Sequence, residues 1–401
     1  MENTANRILI LVQLYSTINT KSSYDFIIAG AGCAGLSLAV HMARAGILDN
    51  KRLLIIDKAR KTVNDRTWCF WEKTKGPFEE IVFKSWNRAW VRNEKSERCL
   101  DLAPYAYKMI RGIDFYSLCN KILSEYSSID RLYVPVRDIS FDNSGIIVSA
   151  GEHQYTADYV FNSIARDEKQ GHLNPELLQH FKGWFLETTE DIFNPEEATL
   201  MDFRVPQQNG TAFVYTMPFS SRKALIEYTI ISPELLRSEA YDDALTKYVH
   251  DLGIINYNVA ESEFGIIPMT KKKFPLREKN MMYIGTAGGQ TKASSGYTFQ
   301  FIQKQSATIV QSLLQTGQPF SKLSKGLARR FRWYDNVLLH ILKNNNPAGK
   351  EVFDILFAKN KPSQVLQFLD NETNLFQELK IMRSVPQIPF LKAGFKEFFN
   401  Y

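Results

Sequence analysis

A mixed α/β fold is predicted, in which a Rossmann-like nucleotide-binding domain is combined with an antiparallel sheet domain and a helical C-terminal region. Three observations predict it. A glycine fingerprint lies between two apolar strand patterns at residues 24–57, alternating apolar segments fill the middle of the chain, and helical periodicity dominates after residue 318.

The fingerprint comes first. Tyr24-Asp25-Phe26-Ile27-Ile28-Ala29 reads as a buried strand, Gly30-Ala31-Gly32-Cys33-Ala34-Gly35 as a glycine turn, residues 36–45 as a helix, and residues 52–56 as a second strand closed by Asp57. Gly30 permits the tight turn, Gly32 brings backbone N–H groups against a pyrophosphate, and Gly35 lets helix and strand pack closely. The helix N-terminus adds partial positive charge, and Asp57 is placed to accept hydrogen bonds from an adenosine ribose.

Residues 88–91, 145–148, 211–215 and 224–231 alternate as half-buried strands, which implies a second sheet. Helical patterns follow at 328–343, 352–357 and 363–369, the last with Ser363 as its expected N-cap. A second glycine-rich element, Gly285-Thr286-Ala287-Gly288-Gly289 with Gly296-Tyr297 behind it, again places small residues between a strand and a helix. It suggests a discontinuous domain that touches its cofactor twice, as FAD, longer than NAD, requires. Arg66, Thr67 and Trp68, with Phe70 and Trp71, put one cation beside three aromatics. Such a cluster suits a flavin or its phosphates, the alternative being a surface loop with buried aromatics. The expected division is an extension at 1–21, an FAD-binding domain from 22–75, 105–170 and 270–317, a substrate-binding sheet domain from 76–104 and 171–269, and a helical region at 318–401.

Lys and Arg number 49 against 43 Asp and Glu, a net charge of +6. That excess suits an anionic membrane surface and is too small to imply nucleic acid. Cys33, Cys69, Cys99 and Cys119 form no C-x-x-C pair, and the six histidines are scattered, so neither a metal site nor a Ser-His-Asp triad is expected. Reduced thiols in the cytoplasm are the simple reading. The apolar run at 8–12 is far shorter than the roughly 20 residues that span a bilayer, and Arg7 without a cleavage pattern makes a poor secretory signal.

Beyond the fingerprint, the chain carries Asp65-Arg66-Thr67-Trp68-Cys69-Phe70-Trp71, Met201-Asp202-Phe203-Arg204, Phe213-Val214-Tyr215-Thr216-Met217-Pro218, Leu225-Ile226-Glu227, Gly265-Ile266-Ile267-Pro268-Met269, and Gly285 with Gly296-Tyr297. Together with Arg329-Arg330-Phe331 and Phe368-Leu369-Asp370, these segments carry a resemblance to the lycopene β-cyclases of bacterial carotenoid synthesis. It implies a flavoprotein fold similar to the aromatic hydroxylases, FAD in its reduced form with NAD(P)H as the expected reductant, and no net oxidation. The reaction implied closes the linear ψ-ends of lycopene, or a related acyclic carotenoid, into β-ionone rings. An acid protonates the terminal double bond, the next double bond attacks the resulting tertiary cation, and a base removes a ring proton.

Such chemistry requires a dry carboxyl group kept neutral by desolvation, with electron-rich faces around the cation. Glu227 is the first catalytic candidate. It sits in an apolar strand and matches the first acidic residue of the family's Phe-Leu-Glu-Glu-Thr motif, whose second acidic position is Tyr228 here. The segment therefore carries one carboxylate, and an outward-facing glutamate on an amphipathic strand is the alternative. Asp202 is the second candidate, either as a base or in a structural ion pair with Arg204. Peripheral association with the inner membrane is expected for a hydrocarbon substrate, through the apolar residues 389–399 and Lys271-Lys272-Lys273, although the first could dock on the body and the second form a solvated loop. A redox flavoenzyme, such as a hydroxylase or an isoprenoid or carotenoid reductase, and a non-catalytic carotenoid- or flavin-binding protein are the other readings.

Overall fold

A computed structural model describes residues 22–142, 145–164, 175–320, 325–346 and 348–399. The expected extension at 1–21 lies outside these residues, as does His172. An eight-stranded sheet carries the fingerprint. It comprises β1 (Ser22–Ala29), β2 (Leu53–Asp57), β8 (Ile129–Tyr133), β9 (Val136–Asp142), β10 (Gly145–Ala150), β11 (His153–Asn162), β17 (Arg277–Glu278) and β18 (Met281–Tyr283). The pairs among β18, β11, β1, β2 and β8 are parallel, so the nucleotide domain is assembled from three separated stretches of chain. Helices α1 (Cys33–Arg44), α2 (Gly112–Leu123) and α4 (Phe299–Thr316) cover one face through a core that includes Ile28, Leu38, Phe115 and Ile302.

The second sheet has the order β16-β12-β15-β14-β13-β5-β6, from β5 (Arg88–Asn93), β6 (Ser96–Asp101), β12 (Leu177–Thr188), β13 (Glu197–Asp202), β14 (Thr211–Pro218), β15 (Lys223–Ser232) and β16 (Tyr257–Met269). Strands β14 and β15 differ from the half-buried expectation, because both of their faces are covered. Ile226, Tyr228 and Ile230 pack under α3 (Ser238–Asp251), with Tyr241, Leu245 and Tyr248. Leu225 and Ile231, with Phe213, Tyr215 and Met217, face the other way. There they meet a small third sheet of β3 (Thr67–Glu72), β4 (Lys84–Trp86) and β7 (Ala106–Arg111), and the C-terminal helices.

Those helices are α5 (Lys325–Asn344), α6 (Gly349–Lys359), α7 (Pro362–Leu369), α8 (Leu375–Ser384) and α9 (Gln387–Phe399). Helix α7 starts one residue before the expected cap: Lys361 occupies the N-cap, and Pro362, with its preset φ, takes the first turn in place of a Ser363 cap. Residues 389–399 form a helix with two faces. Ala393, Gly394 and Glu397 are buried, Trp333 of α5 donates to the Gly394 carbonyl, and Leu391, Phe395 and Phe398 are exposed.

Candidate active site

The glycine turn is built as a cradle open on one side. A Cβ at Gly30, where φ is +99°, would stand 2.2 Å from Ser163 Oγ, and one at Gly35 would stand 2.0 Å from the Gly30 carbonyl oxygen. The chain's own packing therefore demands both glycines. At Gly32 a Cβ would meet nothing within 4 Å, so the space beside it is free. Helix α1 begins there with no side-chain cap and no acidic residue in its first turn, which leaves donor N–H groups and positive dipole charge for an anion. Asp57 accepts from the Ala31 N–H at 2.7 Å and from the Ala59 N–H at 3.2 Å, so it braces the turn while keeping further acceptor directions for a ribose. Gly285 packs directly on α1, where its Cβ would lie 2.5 Å from that of Ala34, and a Cβ at Gly288 would strike the Tyr283 carbonyl. These residues fit the pyrophosphate end of a dinucleotide cofactor.

From Gly285 the chain runs 12 residues to Tyr297 and leaves the nucleotide domain for the second sheet. Gly296, at φ +73°, lies against Gln179 and Ile267, and Tyr297 enters a buried cluster with Tyr107, Tyr215, Cys69 and Trp71. Lys292, paired with Asp335 at 2.7 Å, fixes this turn, and its backbone N–H donates to the Tyr297 carbonyl.

The cluster surrounds Glu227. On β12, Gly183 pairs with Glu227 of β15 on one side and Glu263 of β16 on the other, and Tyr215 of β14 pairs with Glu227 beyond it. Glu263, Gly183, Glu227 and Tyr215 thus form one row across four strands, on one face. With no side chain at 183, the two carboxyls lean over the gap and hydrogen-bond to each other. Thr229 donates to Glu227 at 2.9 Å, and Thr67 of β3 donates to Glu263 at 2.8 Å.

Burial, and then the like charge of Glu263, hold the Glu227 carboxyl well above the ordinary carboxylate range. Burial raises Glu263 as well, opposed by the hydrogen bonds from Thr67 and Glu227. Burial thus favours a shared proton in the pair, and Glu227 is pushed up the more strongly of the two. Burial likewise raises Cys69, Tyr107 and Tyr215, and pushes Tyr297 up to about 12, so these groups are neutral. The arrangement is a buried acid beside a second carboxyl, walled by aromatic rings.

Other expected site residues are placed differently. Asp202 lies in register with Val214, which pairs with Tyr228, and so occupies the opposite face from Glu227. Arg204 grips both its oxygens at 2.9 and 2.7 Å, and the Tyr248 hydroxyl donates at 2.9 Å. The geometry is that of the structural ion pair, and Asp202 is not brought to the carboxylate site. Strand alternation also splits the aromatic cluster of β3. Trp68 and Phe70 turn to the nucleotide-domain core, where Trp68 meets Phe115 edge-on at 5.2 Å and Phe70 stacks on Phe299 at 4.5 Å. Thr67, Cys69 and Trp71 turn the other way, so Thr67 bonds a carboxylate, while the Arg66 side chain is 68% exposed.

Glu263, Gly183, Tyr107 and Thr229 were absent from the expected site. Glu263 precedes the Gly265-Ile266-Ile267-Pro268-Met269 segment by two residues, so period-2 alternation puts it on the face of Gly265. That signal was present in the sequence, whereas the strand register that brings it to Glu227 was not. Among the described residues, no cluster of His, Cys, Asp and Glu could hold a metal ion.

A discontinuous Rossmann-type domain joined to a mostly antiparallel sheet, whose carboxylate face meets Thr67 of β3, defines a flavoprotein-like architecture. Solved structures share it at identities that speak to fold alone. The flavin-dependent brominase Bmp2 aligns with a TM-score of 0.60 and 14% identity over 94% of this chain and 100% of that chain. A geranylgeranyl bacteriochlorophyll reductase-like protein from Thermoplasma acidophilum aligns with a TM-score of 0.58 and 12% identity over 94% and 99%. The chain belongs to the lycopene cyclase protein family, which matches residues 25–394. Lycopene beta-cyclase of Pantoea ananas is 25% identical over 92% of this chain and 97% of its own length. Capsanthin/capsorubin synthase of Capsicum annuum is 23% identical over 69% of this chain and 58% of its own length.

Proposed function

We propose that the protein is a lycopene β-cyclase in which the protonated carboxyl of Glu227 starts ring closure. The observation that carries this reading is the buried Glu227–Glu263 pair, whose burial disfavours ionisation and which is lined by Tyr107, Tyr215, Tyr297 and Trp71. A carboxyl whose ionised form is penalised by burial is kept in the protonated form on which an alkene can draw once the substrate has displaced water. Donation to the terminal double bond gives a tertiary cation, which the next double bond attacks within the same chain. The aromatic faces around the site stabilise positive charge and exclude water. Gly30, Gly32, Gly35 and Asp57 with the Gly285–Gly288 turn would hold FAD, and Tyr297 would close the route between cofactor and carboxylates. Bound in reduced form, with NAD(P)H as the reductant, FAD supplies electron density against the cation.

Access to a membrane-dissolved polyene fits a surface of α8 and α9. Phe376 is 86% exposed, and Leu379, Ile388, Leu391, Phe395, Phe398 and Phe399 are exposed with it, interspersed with Lys380, Lys392 and Lys396. Apolar side chains in such number on one lobe, ringed by cations, suit insertion into an anionic membrane surface. Among the described residues no helix is long and apolar enough to cross a bilayer. Lys271, by contrast, is turned inward to Glu397 at 2.6 Å.

Expression in lycopene-accumulating bacteria with chromatography and mass spectrometry of the pigments tests the reading. Cyclic products of unchanged mass are expected. Oxygenated or hydrogenated pigments would overturn it in favour of a redox flavoenzyme.

A further inference from the structure

The carboxylate row holds one group more than proton donation requires. We propose that Glu263 is the base that collects the ring proton, and that the hydrogen bond between the two carboxyls then returns this proton to Glu227. The inference rests on the cyclase reading above and assigns the second half of that reaction.

The geometry carries it. Glu227 and Glu263 stand on strands that are not neighbours, separated by β12, and they meet because the intervening residue is Gly183. Two interstrand spacings, roughly 10 Å, separate their backbones. An ordinary side chain at 183 would project between them: a Cβ there would lie 3.2 Å from Glu263 Cγ and 2.9 Å from Leu225 Cδ1. The two oxygens are also treated differently. Glu263 accepts from the Thr67 hydroxyl and from the Glu227 carboxyl, and these hydrogen bonds oppose the upward push that burial gives its carboxyl. Glu227 lies deeper, with 9% of its surface exposed, where the neutral form is favoured. Cys69, Tyr107, Tyr215 and Tyr297 face the same space, and burial keeps all four neutral. With two donors aimed at it, Glu263 is the better placed proton acceptor of this cluster.

The proton count closes. The Glu227 O–H bond breaks as a C–H bond forms at the substrate's terminal double bond, leaving two carboxylates beside a carbocation. After the ring carbon–carbon bond has formed, a ring C–H bond breaks, its electron pair becomes the new ring double bond, and the proton passes to Glu263. Transfer from Glu263 to Glu227 restores the starting state, with no electrons gained or lost and no solvent proton consumed. Placement of the base also selects which ring proton leaves, and so where the ring double bond falls.

The test uses Glu263→Gln and Gly183→Ala in lycopene-accumulating bacteria, with the unmutated chain as control and FAD content read by absorbance of each purified protein. For Glu263→Gln, retained FAD is expected, with cyclisation slowed at least about 100-fold. Residual pigment should shift from β rings to isomeric rings or water-quenched alcohols, because the cation must lose its proton elsewhere. Gly183→Ala keeps both carboxyls but wedges them apart, and a loss of the same kind is expected. Wild-type rate and β-ring product from Glu263→Gln would overturn the proposal. Should that variant fail to fold, wild-type behaviour of Gly183→Ala would overturn it. A control that makes no cyclic isomer overturns the cyclase reading itself and this inference with it, so the two failures are distinguishable.

Discussion

Glu227→Gln should produce a more stable protein that has lost its activity. The amide is nearly isosteric with a protonated carboxyl and reproduces its bonds: its oxygen accepts from Thr229, and its NH2 group donates to the Glu263 carboxylate. No buried polar atom is stranded. Burial holds the Glu227 carboxyl well above the ordinary 4.5 at which an unfolded glutamate ionises. A raised folded pKa means that stability is highest below 4.5 and falls as pH rises towards the elevated value. Across that window the wild type therefore gives up stability that glutamine, which does not ionise, keeps. The variant should therefore melt a few degrees higher at pH 7 and level with the wild type at pH 4.5, while turnover drops roughly 100- to 10,000-fold. Thermal melts at the two pH values, with pigment chromatography, read both effects. A variant less stable at pH 7, or one that still cyclises at wild-type rate, would refute a buried neutral acid at this position.

Gly32→Val adds a side chain at a φ of −81°, which valine accepts, into space that the protein does not fill. FAD content by absorbance should collapse while the melting temperature of the cofactor-free chain changes by less than a few degrees. Lys292→Met leaves Asp335 inside the protein without its cation and should destabilise by about 3–5 kcal/mol, seen in urea denaturation. The double variant with Asp335→Leu should recover much of that loss. Phe395→Ser with Phe398→Ser alters two side chains at 70% and 67% exposure, so the melting temperature should hold. Co-sedimentation with anionic phospholipid vesicles should weaken more than 10-fold, given about 1.5–3 kcal/mol for each aromatic inserted.

Local rules written into single segments were legible, and relations between segments were not. The glycine turn, its strands and Asp57 are all fixed within 34 residues, and there the spacing states the geometry. Alternation likewise placed Leu225 and Glu227 on one face of β15. It could equally have shown that Thr67 and Trp68 point to opposite sides of β3, since adjacent strand residues must. The partner of Glu227 was hidden for a different reason. A second acid was looked for at the adjacent position, Tyr228, yet that residue belongs to the opposite face, under α3. The site's second acid comes instead from Glu263, brought by two strand registers and the gap at Gly183. Asp202 shows the converse: its Met-Asp-x-Arg motif is local, and the structure resolves it as a local ion pair beneath Tyr248.

The burial of β15 on both faces explains why an acid can be held here at all. A sheet with one wet face would allow a glutamate to rotate its carboxyl into water and ionise near its ordinary value. In this chain α3 seals one face and the small β3–β7–β4 sheet with Tyr297 seals the other, so Glu227 has no such escape. Sealing requires that small sheet and the 285–297 segment, both of which are continuous with the nucleotide-binding elements. Cofactor cradle and acid are therefore coupled through the backbone: Thr67, one residue after the exposed Arg66, reaches Glu263, and Gly285, seated on α1, leads to Tyr297. Fold likeness to a brominase and a reductase-like protein cannot distinguish cyclisation from redox chemistry. The family match over residues 25–394 favours cyclisation, and the buried Glu227–Glu263 pair over Gly183, walled by aromatic rings, is where the proton donation that cyclisation requires would sit.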